Sequence, residues 1–318
     1  MNQDQRRDLV VVGASAGGVN ALEVLASGIP PDFAGVIAIV LHLSPSHESL
    51  LPHILSRAGL RNAAGATDRA PVAGGSVYVA PPDRHLVFQN GSVRVTRGPR
   101  ENCHRPSIDV MFRSAAANYG PRVVGVLLSG ADDDGSEALR QIRDCGGTTI
   151  VQDPADALFP VMPESALQVV EPDYLLPVSE IGPVIGKLAT CPANRKENTM
   201  PECNPSPDRE HELGKPSNLI CPDCGGALWE LDEGSLLRYR CRVGHAYSTG
   251  SMMSASQDAV ERSLWAAVRS LEESADLSRR VGRKTGVLRD RMEAKAAEQE
   301  EHARTIQEIL TKGAADHE

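Results

Sequence analysis

The stretch VVVGASAGGVNAL, residues 10–22, carries an apolar strand straight into a glycine-rich turn with a serine at its centre. An apolar run without alternation is a strand covered on both faces, and a helical pattern begins at about residue 17. The same step recurs down the chain. Leu9–Val12, Val36–Leu41, Val123–Leu128 and Thr149–Val151 read as buried parallel strands, with helical patterns at about 17–27, 48–58, 135–145 and 163–170. Strand and helix in alternation predict an α/β fold, a doubly wound and mostly parallel sheet in three α/β/α layers. Between these steps, Ser76–Ala80, His85–Phe88 and Ser92–Thr96 are separated by PPD and QNG and predict a small antiparallel insertion.

The sequence has 318 residues, enough for two domains, and is 41% hydrophobic, with a core resting on aliphatic residues because aromatics make up only 3%. A net charge of −9 argues against nucleic acid or an anionic membrane as a partner. No run approaches the roughly 20 apolar residues of a membrane span, and MNQDQRRDL lacks the apolar stretch of a signal peptide. Membrane insertion is not expected, and a cytoplasmic location is. The organisation expected is a catalytic domain over 1–188, a proline-rich flexible linker over 189–218, a small cysteine-containing β module over 219–250 and a helical tail over 254–312.

The glycines around Ser15 admit two readings. A dinucleotide fingerprint needs a glycine where Ser15 stands and an acidic residue at the end of the second strand, where this sequence has His42. The alternative is a nucleophile. A serine hydroxyl needs a base to take its proton, histidine can do that near neutral pH, and a carboxylate on the far ring nitrogen fixes the tautomer. Ser15, His42 and Asp134 each follow a predicted strand, at the sheet edge where α/β folds bind ligands. The glycines would clear room for a substrate backbone, and a helix starting after Ser15 would aim N–H groups at developing negative charge. Asp132-Asp133-Asp134 could suggest a magnesium site, but Asp134 is already assigned to the histidine and no other acidic pair lies nearby. His47 reads as a surface residue, and Cys103 and Cys145 as ordinary thiols.

GASAGG, the histidine after the second strand, YVAPPDRHL (78–86), HRPSIDVMF (104–112), GVLLSGADDDG (125–135) and MPESAL (162–167) together resemble the catalytic domain of the chemotaxis protein-glutamate methylesterases, CheB-type. The resemblance covers residues 8–188. It implies hydrolysis of glutamate γ-methyl esters on chemoreceptor helices, with glutamine deamidation as a second activity, no cofactor for catalysis, and Ser15, His42 and Asp134 as nucleophile, base and carboxylate. It also implies backbone donors for the oxyanion at Ala16, Gly17 and Ala131; Arg84, His85, Arg105 and His104, in the same motifs, are expected either to shape the pocket or bind receptor or to serve structural packing. Ala131 departs from the methionine often found there. Only about eight residues precede the first strand, so the expected regulation is constitutive activity or control by a partner rather than by an attached receiver. Two other readings stay open: a receptor-binding scaffold with little turnover, and an esterase for a non-receptor ester.

Cys221, Cys224, Cys241 and His245 form C-x2-C-x16-C-x3-H, a spacing that suits tetrahedral zinc with all four positions filled by protein, hence a structural Zn2+ in a zinc-ribbon-like module. The turn Asp232-Glu233-Gly234 predicts a hairpin within it. Beyond, apolar stripes at Val260, Leu264, Val268, Leu271 and Ala275, and at Leu288, Met292, Ala303, Ile306 and Leu310, flank Gly282 and Gly286. They predict two helices that fold back on each other or pair with another chain, and offer a surface for a signalling partner.

Overall fold

The computed structural model describes residues 6–43, 49–190, 214–232, 237–285 and 288–313. His47, Gly286, the turn at 233–236 and most of the expected linker lie outside them. Two compact units result, Met1–Met252 and Met253–Glu318.

In the first unit the expected doubly wound sheet is present. Strands β1 (Leu9–Ala14), β2 (Val36–Leu41), β3 (Ala63–Gly65), β5 (Val77–Val79), β8 (Val123–Leu127), β9 (Thr148–Gln152) and β10 (Tyr174–Leu176) form one parallel sheet in the order β10-β9-β8-β1-β2-β5-β3. Every residue of β1, β2, β8 and β9 is buried, because both faces are covered. Along β1, Leu9 and Val11 enter one core while Val10 and Val12 enter the other. The second core is closed by α1 (Gly18–Gly28), α2 (Leu51–Ala58) and α6 (Val178–Thr190). The first is closed by α3 (Ile108–Tyr119), α4 (Ser136–Asp144) and α5 (Val161–Val169).

The insertion differs from expectation in one strand. Val77–Val79 joins the main sheet beside β2, and its place in the antiparallel sheet is taken by β4 (Ala70–Pro71), giving the order β4-β7-β6 with β6 (His85–Gln89) and β7 (Ser92–Thr96). Val77 and Val79 are both buried, and an edge position on a two-stranded ribbon could not have covered them.

The chain order reverses about β1, whose neighbours are β2 on one side and β8 on the other. That places three strand ends side by side. They are tied by backbone hydrogen bonds: His42 N–H donates to Ala14 O at 3.2 Å and Ser15 N–H to Ser129 O at 3.0 Å.

The glycines of the opening turn serve the chain's own packing, which corrects their reading as clearance for a substrate. A Cβ on Gly13 would stand 2.4 Å from Ile108 Cγ2, and one on Gly135 would stand 2.5 Å from the same atom. Gly17 takes φ 72° at the start of α1, a left-handed conformation that glycine adopts without strain. Ile108, the first residue of α3, is thus lodged between two glycines, one near the end of β1 and one capping α4.

Residues 214–252 add a four-stranded antiparallel sheet, β11 (Lys215–Ile220), β12 (Ala227–Asp232), β13 (Leu237–Cys241) and β14 (Ala246–Ser248), and the start of α7 (Thr249–Thr285). The β12–β13 pairing is the expected hairpin. In the second unit α7 and α8 (Arg289–Gly313) fold back on each other. Ala275, Ala296 and Ala303 are buried, Arg279 bonds Glu293 and Glu300, and Gln299 Nε2 donates to Ser274 Oγ at 2.7 Å. Val260, Trp265, Leu277 and Ile309 remain exposed.

Replacing Gly13 with Ala is expected to cost about 1–3 kcal/mol by overpacking against Ile108. Gly13→Ala combined with Ile108→Ala, which removes the clashing Cγ2, should be less destabilised than the sum of the two single changes, and urea denaturation of the single and double variants measures it.

Candidate active site and candidate metal centre

The tied strand ends bring Ser15, His42 and Asp134 into one line. Ser15 Oγ lies 3.1 Å from His42 Nδ1, and His42 Nε2 lies 2.9 Å from Asp134 Oδ2. A buried carboxylate on Nε2 fixes that nitrogen as the donor, which leaves the Nδ1 lone pair facing Ser15 when the ring is neutral. Ser15 is half-buried and open to a substrate, whereas Asp134 is fully buried.

Asp134 survives burial as an anion because donors surround it. Ile108 N–H donates to Oδ2 at 2.6 Å; Ser107 Oγ (2.9 Å), Asn102 Nδ2 (2.9 Å) and Asp109 N–H (3.3 Å) donate to Oδ1. Two of these donors are the first N–H groups of α3, where orphan amides and the helix dipole favour negative charge. Burial works to raise the Asp134 pKa, but the hydrogen bond and charge of His42 and the charge of His104 hold it below the ordinary value. Its neighbour Asp109, buried beside it, is pushed well above the carboxylate range by burial and then by the charges of Asp134 and Glu137. The pair therefore carries one negative charge, on the member facing the histidine.

Helix α3 and Asn102 are parts of the site that sequence reasoning missed. The helix had a signal: Ser107 as cap, then Ile108, Met111, Phe112, Ala115 and Ala116 at helical spacing, all buried.

The three aspartates diverge, as expected from assigning Asp134 to histidine. Asp133 accepts from Ser248 Oγ at 2.5 Å. Asp132 binds His104 Nε2 at 2.8 Å and lies 3.5 Å from His42 Nδ1. The His42 and His104 rings are stacked, 3.6 Å apart and 8° from parallel. Ring lone pairs on parallel stacked imidazoles run side by side and do not converge. His42, His104 and Asp132, whose donor atoms gather within 4.8 Å, are thus arranged as a hydrogen-bonded cluster more than as an ion cage. Burial works to lower the His42 pKa, but hydrogen bonds and charges from Asp132 and Asp134 outweigh it and push the pKa up to about 9.

The remaining candidates fall at different distances from the chemistry. Ala16 and Gly17 follow Ser15 directly at the mouth of α1, and among the described residues neither N–H finds an acceptor. Ala131 is exposed in the loop leading to Asp134. His85 is buried, accepts from Ser107 N–H at 3.2 Å through Nδ1 and donates to Pro99 O at 2.8 Å through Nε2. With both nitrogens engaged below the surface it is a scaffold residue, which favours the packing role over the substrate contact of its two expected places. Arg105 is spent on Asp83 and Gly98 O, while Arg84 bonds Asp83 through Nη1 alone and is 39% exposed. Cys103 is an exposed cysteine outside any disulfide; Cys145 is disulfide-bonded, which corrects its reading as an ordinary thiol.

Cys221, Cys224, Cys241 and His245 also converge, their donor atoms all within 4.8 Å. Cys224 Sγ is 3.7 Å from Cys241 Sγ, and His245 Nδ1 is 3.7 Å from Cys221 Sγ and 3.5 Å from Cys241 Sγ. Zinc bond lengths of about 2.3 Å to sulfur and about 2.0 Å to nitrogen make tetrahedral edges of about 3.8 Å and about 3.5 Å. The four side chains fit that ion.

The model of the CheB methylesterase family matches residues 10–185, more than half of the chain and all but the first residue of the sheet that carries the site. The chain belongs to the CheB methylesterase family. A protein of Anaeromyxobacter dehalogenans named protein-glutamate methylesterase/protein-glutamine glutaminase 2 is 39% identical over 183 residues, 58% of this chain and 54% of that relative, so the chain spans about half its length. A relative from Leptospira interrogans, 35% identical over 182 residues, is matched over 94% of its length and 57% of this chain. The crystal structure of the Thermotoga maritima CheB methylesterase catalytic domain superposes with a TM-score of 0.54 at 30% identity, covering 57% of this chain and 98% of that one. That likeness bears out the fold class. Among the described residues no helix is long and apolar enough to cross a membrane.

The NMR titration of the His42 ring should have its midpoint near pH 9. Asp132→Asn should move that midpoint to lower pH, because the amide removes one of the two negative charges that favour the imidazolium.

Proposed function

We propose that this member of the CheB family is a protein-glutamate methylesterase acting in the cytoplasm on γ-methyl esters of chemoreceptor glutamates by way of Ser15, His42 and Asp134. The observation that carries the reading is the unbroken line Ser15 Oγ–His42 Nδ1 and His42 Nε2–Asp134 at 3.1 and 2.9 Å, in a family named for this reaction. In its neutral form His42 takes the Ser15 proton on Nδ1 as Oγ attacks the ester carbonyl. The oxyanion gathers at the N–H groups of Ala16 and Gly17, where α1 begins. Nδ1–H then protonates the leaving methoxide, methanol departs, and water attacks the acyl-enzyme with His42 again as base. Replacing methoxide by ammonia gives glutamine deamidation through the same steps.

The resting site holds a proton that the first step must dispose of. Since Asp132 and Asp134 favour the imidazolium, kcat/KM should rise with pH as His42 loses its proton, with the limb near 9 in the free enzyme. A receptor helix that displaces Asp132 onto His104 alone would lower this requirement.

We further infer that Cys221, Cys224, Cys241 and His245 hold one Zn2+ as a structural ion. The ion supplies fixed tetrahedral geometry to a segment whose only fully buried large side chains, among the described residues, are Leu228 and Tyr247. In this reading residues 1–188 carry the reaction, 219–250 the metal, and the hairpin within 254–312 offers its exposed Val260, Trp265, Leu277 and Ile309 to a signalling partner.

Ser15→Ala should abolish methanol release from a methylated receptor fragment; a variant with wild-type turnover would sink the mechanism, and binding without methanol release by the wild type would favour a scaffold. Elemental analysis of freshly purified protein should find one zinc per chain, lost from the Cys221→Ser/Cys224→Ser variant.

A further inference from the structure

The metal centre and the reactive serine are joined by a short chain of buried hydrogen bonds that passes through Asn102. Cys241 N–H donates to His245 O at 3.0 Å, closing the turn that presents two of the four ligands. The residues that follow His245 form β14 and run directly against the loop before α3. Asn102 N–H donates to Ala246 O at 2.9 Å, and Ala246 N–H donates to Arg100 O at 3.3 Å. Ser248 N–H (2.9 Å) and Ser251 Oγ (3.1 Å) both donate to Asn102 Oδ1.

Two donors on Oδ1 fix which way the Asn102 amide points. Its Nδ2 must then face Asp109 Oδ2 at 2.8 Å and Asp134 Oδ1 at 2.9 Å, as it does. Asn102 is 2% exposed, so water does not substitute for either set of partners. Two further contacts fasten the module at the same place. Ser248 Oγ donates to Asp133, and Arg238 bridges Glu101 and Glu137, the latter three residues beyond Asp134. Glu101 is held down to about 2, burial notwithstanding, by the Arg113 and Arg238 charges, so the bridge is ionic at working pH.

We propose that the four-ligand cluster controls the esterase: metal held at Cys221, Cys224, Cys241 and His245 fixes β14, β14 fixes the Asn102 amide, and Asn102 positions Asp134 for His42. Asn102 is a positioning residue, since it touches neither Ser15 nor a substrate. The proposal rests on the reading of Ser15, His42 and Asp134 as the reacting line and of the cluster as a zinc site. When the ion is lost, or its thiolates are consumed, a segment with little core of its own loosens, Oδ1 of Asn102 loses both donors, and Asp134 loses one of its oriented hydrogen bonds.

The experiment uses the full chain, zinc-loaded, stripped with a chelator, and stripped then reloaded with zinc. Two readouts need no receptor: the rate at which a fluorophosphonate labels Ser15, and the strongly deshielded NMR proton of the His42 Nε2–H···Asp134 bond. Stripping should slow labelling by about tenfold, the worth of one hydrogen bond to a charged group, and should broaden or shift the proton signal; zinc should restore both. Asn102→Ala should be slow when loaded, and stripping should slow it little further. If Asn102→Ala does not fold, Ser251→Ala carries the same test with a smaller slowing.

The proposal is overturned if stripped wild type labels at the loaded rate with its signal intact. It is also overturned if stripping slows Asn102→Ala by the full wild-type factor, since the metal would then act by another route. Failure of the underlying readings looks different: no labelling of loaded wild type, or labelling that survives Ser15→Ala, removes the reacting line, and protein purified without metal removes the zinc site. Either one takes the proposal with it.

Discussion

Everything about this site depends on keeping one carboxylate charged where no water reaches it. Asp134 is buried beneath His42 and would protonate if left to the protein interior. The amino end of α3, the Ser107 hydroxyl and the Asn102 amide replace the lost hydration, and Asp109 gives up its own charge so that only one remains. The fold follows from that need. Placing a helix terminus against the end of β8 requires Ile108 to enter between β1 and α4, and only glycines at 13 and 135 leave room for it. Serine and aspartate are therefore set by the same packed side chain, though one follows β1 and the other precedes α4.

Much of this was written in the sequence. Continuous apolar runs ending in Ser15, His42 and the Asp132–Asp134 loop located the parallel strands, and the ends of β1, β2 and β8 came together because the strand order reverses at β1. The cysteine and histidine spacing located a second cluster, since C-x2-C and C-x3-H are local turns whose geometry a short segment dictates. Helix α3 is legible too, in the Ser107 cap and the apolar spacing from Ile108 to Ala116. The place of Val77–Val79 in the main sheet is not legible, because a short apolar strand carries no mark of its partner. The Asn102–Ser248 pairing had no local signal whatever, since it joins residues 146 apart in the chain.

The histidines illustrate how burial sorts similar residues. His85 lies below the surface with both nitrogens bonded, and burial lowers its pKa, so it is a neutral brace for the loop carrying Ser107. His42 is also mostly buried, yet two carboxylates reverse the outcome and favour its charged form. His104 stacks on His42 and shares Asp132 with it, so the charge on one imidazole is felt by the other through a single carboxylate.

The Asn102 amide has a last consequence, for the ageing of the molecule. It offers oxygen to one side and nitrogen to the other, and nothing else among the described residues supplies that pair of opposite polarities between the β module and Asp134. Hydrolysis of this one amide exchanges a nitrogen for an oxygen and changes the backbone not at all. The side chain would then present an acceptor to the Asp134 carboxylate, which needs a donor, and add a negative charge where Asp109 has already had to surrender one. A chemical change of one mass unit in a loop that looks peripheral in the sequence would thus be written directly into the electrostatics of the reacting line.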